Sequence, residues 1–122
     1  MTLYRKEIIE RYRFPRHRGE IKDADLQGEV INDLCGDELI LFVKLDKARE
    51  KVVAAKFGGQ GCALMSASAD IFCSDLLGKS LAELKNYKED GIFSLYGEEV
   101  TPARRRCVLL PLEALRAGLE ML

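Results

Sequence analysis

The chain has 122 residues, of which 48% are hydrophobic and 32% charged, and its formal net charge is −1. This length fits a single domain over residues 1–122, large enough to bury a core without disulfide bonds. The balanced charge gives no indication of bulk nucleic-acid binding. No apolar run reaches the roughly 20 residues that a membrane-spanning helix needs. We therefore expect a protein with neither a nucleic-acid nor a membrane partner.

The first residues are charged throughout and lack the apolar segment of a secretory signal, so we expect a cytoplasmic location. There, the four cysteines are expected to bind metal, take part in catalysis or lie buried rather than form disulfides. The chain has no CxxC pair, and its one histidine is His17. A metal site would therefore have to be assembled by the fold from distant segments.

The first half of the chain contains one helix signal followed by three strand signals. Residues 3–12 have helical periodicity, which ends before Pro15. The segments 26–34, 38–45 and 51–57 have strand character and are separated by short turn sequences. In the second of them, alternation places four apolar side chains on one face: Leu39, Leu41, Val43 and Leu45. Three sequential strands with short links predict an antiparallel meander.

Helical periodicity replaces the strand pattern after residue 61. It predicts a helix over 62–77 that ends at Gly78, followed by a short helix over 80–87 with a capping box at its start. Residues 88–106 are expected to be irregular or partly helical. Strands followed by helices predict an α+β fold in which helices cover one sheet.

A last helix is predicted over residues 107–121. Pro111 is tolerated only in the first turn of a helix, because its ring removes a hydrogen-bond donor. We therefore expect Cys107 to lie at or just before the start of this helix.

Three cysteines occupy positions that favour the thiolate, which is the form that binds metal and transfers sulfur. Cys35 is followed by Gly36 and Asp37, Cys62 follows a glycine-rich run at a helix start, and Cys107 follows three arginines. Helix N-termini and nearby cations both stabilise thiolates. These three cysteines and Asp37 could hold a soft metal, and the guanidinium of Arg106 would offset the negative charge of such a site.

Each motif also has a simpler interpretation. The Cys35 motif is compatible with an ordinary hairpin turn, and the glycines before Cys62 are compatible with a phosphate-binding loop, although its Lys-Ser/Thr pair is missing. Cys107 could be a buried cysteine beside solvated arginines. Cys73 lies 11 residues after Cys62, roughly 16 Å along the helix, and is predicted to belong to the core. His17 is predicted to lie in a surface loop.

Taken together, the motifs resemble those of the iron–sulfur cluster assembly scaffolds of the IscU, SufU and NifU N-terminal type. The resemblance covers nearly the whole chain and rests on four segments: Tyr4–Gly19, Cys35–Asp37, Lys56–Ser68 and Pro102–Leu115. It implies an α+β fold with a three-stranded antiparallel sheet packed against helices, a SufE/NifU-like sandwich.

The same resemblance implies that Cys35, Asp37, Cys62 and Cys107 line one exposed site that holds iron or a transient 2Fe-2S cluster. A cysteine desulfurase would deliver sulfur to Cys107, and the cluster would pass to apo iron–sulfur proteins. The resemblance leaves open whether the protein forms a homodimer around a bridging cluster. This hypothesis favours a scaffold without enzymatic activity of its own.

The alternative is a zinc-dependent sulfurtransferase like SufU, in which the same four residues hold zinc and sulfur is handed to Cys35. Arg106 favours this alternative, because IscU members usually have a histidine at that position. The spacing from Cys62 to Cys107 is 107 − 62 = 45 residues, which is close to that of IscU and favours the scaffold. The Leu-Pro-Pro-Val-Lys segment that the IscU chaperone recognises is absent. A third alternative is a structural zinc domain that binds a partner.

Overall fold

The computed structural model describes residues 5–33, 36–96 and 100–122, and these ranges contain three strands and five helices. In chain order the elements are α1 (Arg5–Arg13), β1 (Leu26–Asn32), β2 (Asp37–Leu45), β3 (Val52–Gln60), α2 (Ala63–Leu76), α3 (Leu81–Lys85), α4 (Glu89–Tyr96) and α5 (Pro102–Leu119). The predicted α+β class is confirmed. In the described ranges, no helix combines the length and the apolar character needed to cross a membrane.

The strands form an antiparallel sheet in the order β1-β2-β3, as the meander predicts. The face of β2 that was expected to be apolar is buried along its length. β3 extends three residues beyond the predicted end at Phe57, because Gly58 and Gly59 pair with Ile40 and Leu39. The glycine-rich run is therefore mainly the end of a strand, and the expected loop is reduced to the turn into α2.

Helices α2 and α5 pack together and cover the sheet, with α5 against β1 and β2 and α2 against β3. Their contact buries large apolar side chains such as Phe57, Phe72 and Leu115, each of which contributes about 1.5–3 kcal/mol when fully buried. The approach of α5 to β1 depends on Gly28. A Cβ atom at this position would lie 1.7 Å from the carbonyl oxygen of Ala114.

α5 begins at Pro102, five residues before the predicted start, so the expectation that Cys107 lies at a helix start is wrong. Thr101 is the N-cap, and Pro102 suits the first turn because its φ is already helical. Pro111 is tolerated inside the helix, although it has no N–H to donate to the carbonyl of Cys107 four residues earlier. Residues 88–106 were expected to be irregular or partly helical, and they are partly helical, because they contain α4 and the first turn of α5.

Local signals located the middle helices correctly. Ser80 accepts a hydrogen bond from the backbone of Glu83, whose side chain accepts one in return, so the predicted capping box is present. Gly78 follows α2 with a φ of +82°, the left-handed conformation that glycine adopts without strain. Both signals depend only on residues close in sequence, which is why they could be recognised without the fold.

Candidate metal centre

The pairing of β2 with β3 brings Asp37 to the start of α2. Glu38 lies opposite Gln60 in the antiparallel register, so the residue before Glu38 lies beside the residues that follow Gln60. The backbone N–H of Cys62 donates a hydrogen bond to Oδ1 of Asp37, with an N–O distance of 3.2 Å. Two residues that are 25 positions apart are therefore held together by the register of the sheet and by one hydrogen bond.

Cys62 is the N-cap of α2, and its side chain is exposed. Its Sγ atom accepts a hydrogen bond from the backbone N–H of Met65 at 3.4 Å. The N–H groups of the first turn of a helix have no partner within the helix, so they are available as donors to a side chain at the N-cap. The expected placement of Cys62 at a helix start is confirmed.

Cys107 lies in the second turn of α5 and is partly exposed. This part of α5 is fixed to α2 by a buried hydrogen bond from the Ser68 hydroxyl to the backbone carbonyl of Val108, at 2.9 Å. The bond joins the residue after Cys107 to the second turn of α2. Cys107 therefore reaches the site through helix packing.

Asp37, Cys62 and Cys107 together form what we call the Asp37 site. Their ligand atoms, one carboxylate oxygen and two sulfurs, all lie within 4.8 Å of one another. Zinc–sulfur bonds are about 2.3 Å long and the ion is tetrahedral, so two sulfurs on one ion lie about 3.8 Å apart. Small side-chain rotations would bring these atoms to that separation, and two thiolates with one carboxylate suit zinc or iron.

One carboxylate oxygen of Asp37 is available for such an ion. The side chain is buried, with 5% of the residue exposed, and within the described residues no hydrogen-bond partner reaches Oδ2. Burying a polar atom without a partner costs about 1–3 kcal/mol, and a bound cation would remove that cost. Gly61 keeps space beside the carboxylate, because a Cβ atom there would lie 3.1 Å from Cγ of Asp37. The donor set therefore fits a metal ion.

The fourth predicted ligand, Cys35, lies outside the described residues and stays a prediction. The role predicted for Arg106 also stays a prediction. Its Nε atom lies 3.4 Å from Oε2 of Glu113 on the same helix, and its side chain is half exposed.

Cys73 and His17 lie elsewhere. Cys73 is fully buried in the core, as predicted, and burial there raises the pKa of its thiol, with a further increase from the nearby Asp70 carboxylate. His17 is half buried, and its Nε2 lies 2.8 Å from Oγ of Ser74. The expectation of a surface histidine is therefore wrong in part, because the ring packs against α2.

The sequence interpretation missed a second buried polar group. Asp70 is fully buried in α2 and forms an ion pair with Arg11 of α1, at 2.7 Å. The available signal was a charged residue within the apolar stretch Ala67–Cys73, where an unpaired carboxylate would be costly. Its partner could not be identified because the two residues are 59 positions apart.

Thiol labelling should distinguish the cysteines of the metal-free protein. We expect iodoacetamide to alkylate Cys62 and Cys107 in the folded protein, whereas Cys73 should react only after unfolding, because its thiol is buried and its pKa is raised. Peptide mass mapping in the presence and absence of denaturant measures this. Alkylation of native Cys73 at the rate of Cys62 would contradict the placement of Cys73 in the core.

Comparison with known proteins gives consistent matches over the whole chain. The family model described as "NifU-like N terminal domain" matches residues 3–122. The zinc-dependent sulfurtransferase SufU of Bacillus subtilis is 33% identical, covering 96% of this chain and 89% of SufU. The iron–sulfur cluster assembly scaffold protein IscU of Thermotoga maritima is 28% identical, with coverages of 97% and 93%.

A solved structure extends this likeness to the fold. It is a putative iron–sulfur cluster assembly scaffold protein for the SUF system from Fervidobacterium islandicum, with a TM-score of 0.76 and 29% sequence identity. The match covers 95% of this chain and 96% of the other. The two chains therefore share this fold over nearly their full length.

Proposed function

The chain belongs to the family of NifU-like N-terminal domains, and we propose that it is a scaffold on which iron–sulfur clusters are assembled and from which they are transferred. The observation that carries this proposal is the Asp37 site, where two accessible thiols lie beside a buried carboxylate with an unpartnered oxygen. A site that releases its cargo must be reachable from solvent, and Cys62 is exposed. The relatives named iron–sulfur cluster assembly scaffold protein IscU support the same function.

In this proposal the cargo is a 2Fe-2S cluster, and its ligands are Cys35, Asp37, Cys62 and Cys107. Thiolate is the ordinary ligand of such clusters. The carboxylate of Asp37 would be the weaker ligand, because oxygen binds soft iron–sulfur centres less strongly than sulfur does. The arrangement would thus combine ligands that hold the cluster with one that favours its release.

Sulfur would come from the persulfide of a cysteine desulfurase, and Cys107 or Cys35 would accept it. The thiolate on this chain attacks the outer sulfur of the partner's persulfide. One sulfur–sulfur bond forms, another breaks, and the partner's cysteine leaves as thiolate. Reduction of the transferred sulfur to sulfide takes two electrons, which an external redox protein or thiol must supply. Apo iron–sulfur proteins would then receive the cluster, and a homodimer could form around it.

A second candidate is a zinc-dependent sulfurtransferase, and it is favoured by the identity of 33% to the Bacillus subtilis protein of that name. Zinc would be held by the same four residues, and Cys35 would accept the sulfur. Zinc would supply charge stabilisation of the thiolates in this case. Arg106 would favour this candidate, because the resemblance to IscU implies a histidine at that position.

The two candidates differ in what the purified protein contains and what it does. We would isolate the protein without oxygen and measure iron, zinc and acid-labile sulfide together with the visible absorption spectrum. About two irons and two sulfides per cluster with charge-transfer bands would support the scaffold. One zinc without sulfide, combined with stimulation of a desulfurase, would support the sulfurtransferase. Zinc without stimulation would contradict both and leave a metal-stabilised domain.

Replacement of Asp37 by alanine is expected to slow cluster release several-fold. The change removes the weaker ligand but leaves the cysteines in place, so the cluster is held by thiolates alone. The measurement is the decay of visible absorbance when a chelator or an apo-ferredoxin is added to Asp37→Ala and to the unchanged protein. Faster loss from Asp37→Ala would contradict the release role of the carboxylate.

A further inference from the structure

Asp70 is a fully buried carboxylate that takes no part in the proposed cluster chemistry. Its Oδ2 accepts a hydrogen bond from Nη1 of Arg11 at 2.7 Å, and its Oδ1 accepts two more from the backbone N–H groups of Arg16 and His17, both at 2.8 Å. One side chain of α2 therefore fixes both the end of α1 and the loop that follows it.

Ser74, one turn further along α2, adds a second point of attachment. Nη1 of Arg11 donates to its Oγ at 3.0 Å, and Nε2 of His17 lies 2.8 Å from the same oxygen. We call Arg11, His17, Asp70 and Ser74 the Asp70 network. It ties residues 11–17 to α2 through side chains that are buried or half buried.

The other side of the same loop is attached to β3. The backbone N–H of Phe57 donates to the carbonyl of His17 at 3.0 Å, and the N–H of Gly19 donates to the carbonyl of Phe57 at 2.9 Å. Arg18 lies between them, with its guanidinium 5.5 Å from the centre of the Phe57 ring and in a hydrogen bond with the carbonyl of Gly59. The loop is therefore held between α2 and the strand that leads to Cys62.

This loop forms one wall of a cavity beside the Asp37 site. The cavity has a volume of about 340 Å³ and is lined on one side by Tyr12, Pro15 and Arg18. The other side includes the end of β3, Gly61 and Ser66. Gly61 directly precedes Cys62, and a Cβ atom on Gly61 would lie 3.1 Å from Cγ of Asp37, so the cavity adjoins the Asp37 site at this residue.

Stability alone does not explain the network. A buried ion pair often contributes no more than apolar residues of the same volume, because desolvating two charges offsets their attraction. Within the described residues, the buried Nε of Arg11 has no hydrogen-bond partner, which adds a cost of about 1–3 kcal/mol. The best-supported use of such a buried polar group is to select one arrangement of the chain.

We propose that Asp70 is a positioning residue for sulfur delivery. Through its network it holds residues 12–18 as the outer wall of the cavity. This cavity receives the persulfide-bearing segment of the sulfur donor. The proposal rests on the proposed function, in both of its forms. A persulfide carries an anionic or readily ionised sulfur, and Arg18 places a cation on the cavity wall. Asp70 itself touches neither the metal ligands nor the donor, so its loss should weaken donor binding and leave the chemistry unchanged.

The test compares Asp70→Asn with Asp75→Asn in a desulfurase stimulation assay with the full chain. Asparagine would place its NH2 group against the guanidinium of Arg11 or against the backbone N–H groups of Arg16 and His17, so either orientation disrupts one side of the network. Asp75 lies on the same helix, where it accepts a hydrogen bond from Tyr87, and it does not line the cavity beside Cys62. The matched change therefore reproduces the loss of one carboxylate from α2 without disturbing the loop.

We expect Asp70→Asn to raise the KM for this chain about tenfold, with kcat and metal content unchanged, and Asp75→Asn to alter none of them. Should Asp70→Asn not fold, Ser74→Ala weakens the same network with less disruption and should raise KM in the same direction. Faster tryptic cleavage at Arg16 or Arg18 in a folded variant would show that the loop has loosened. If KM were nevertheless unchanged, the role proposed for Asp70 would be wrong and the proposed function would stand. Failure of the unchanged protein both to stimulate a desulfurase and to acquire iron with sulfide would overturn the proposed function as well.

Discussion

Serine in place of Cys62 or Cys107 is expected to lower the affinity for one metal ion per chain by more than about 100-fold. A serine hydroxyl does not ionise near neutral pH and is a poor ligand for zinc or iron, whereas thiolate is a strong one. Changes outside the ligand set typically cost 10–100-fold in affinity, so loss of a ligand should cost more. We expect the same result for Cys35→Ser, since Cys35 is the fourth predicted ligand.

The measurement is zinc affinity by competition with a chromophoric chelator, with Cys73→Ala as the control. Cys73 is fully buried away from the Asp37 site, and alanine avoids placing a hydroxyl in the core. This variant should lose some stability to the cavity that it creates but keep its affinity for zinc. If Cys73→Ala lost zinc to the same degree as Cys62→Ser, the proposed ligand set would be wrong.

The second large effect is expected at Gly28, where alanine should destabilise the fold by at least about 3 kcal/mol. The added Cβ would lie 1.7 Å from the carbonyl oxygen of Ala114 and 2.8 Å from the backbone nitrogen of Gly118. Both are backbone atoms of α5, so no side chain can rotate away and the whole helix must move. Because α5 also carries Cys107, metal affinity should fall together with stability.

Gly58 provides a matched control in β3. A Cβ atom at Gly58 meets no heavy atom within 4 Å, and its φ lies outside the left-handed region. Gly58→Ala should therefore change the free energy of unfolding by about 0.5 kcal/mol or less. Urea-induced unfolding of the metal-free proteins measures both variants, and equal midpoints would show that α5 does not approach β1 as closely as described.

Local sequence signals were sufficient for most of the fold. Alternation identified the buried face of β2, and the capping residues Ser80 and Glu83 located α3. The end of β3 was missed because glycines have no side chain that would indicate a strand, and Gly58 and Gly59 become part of one only through their pairing with β2. The start of α5 was missed because Pro111 was expected to lie in the first turn of its helix, whereas α5 contains this proline in its interior.

The candidate site could be predicted from the sequence less completely than the fold. Residue types and their neighbours singled out Asp37, Cys62 and Cys107, but only the register of β2 with β3 and the packing of α5 on α2 bring them together. No local feature of the sequence identified Arg11 and Asp70 as partners. Long-range pairs of this kind follow from the tertiary fold, so they become visible only in the structure.

Pro111 has a consequence for the motion of α5. The helix lacks the hydrogen bond that would join residue 111 to Cys107, and residues 102–106 before it are exposed. Opening of residues 102–106 therefore breaks few interactions, whereas the helix from Val108 onward is anchored by buried Val108 and Leu110 and by the hydrogen bond from Ser68. Backbone amides of residues 103–106 should exchange with deuterium through a local opening, while those from Val108 onward should exchange only when the core opens. Cys107 thus lies at the boundary between an exposed first turn that opens readily and a part of α5 that the core and the hydrogen bond from Ser68 hold in place.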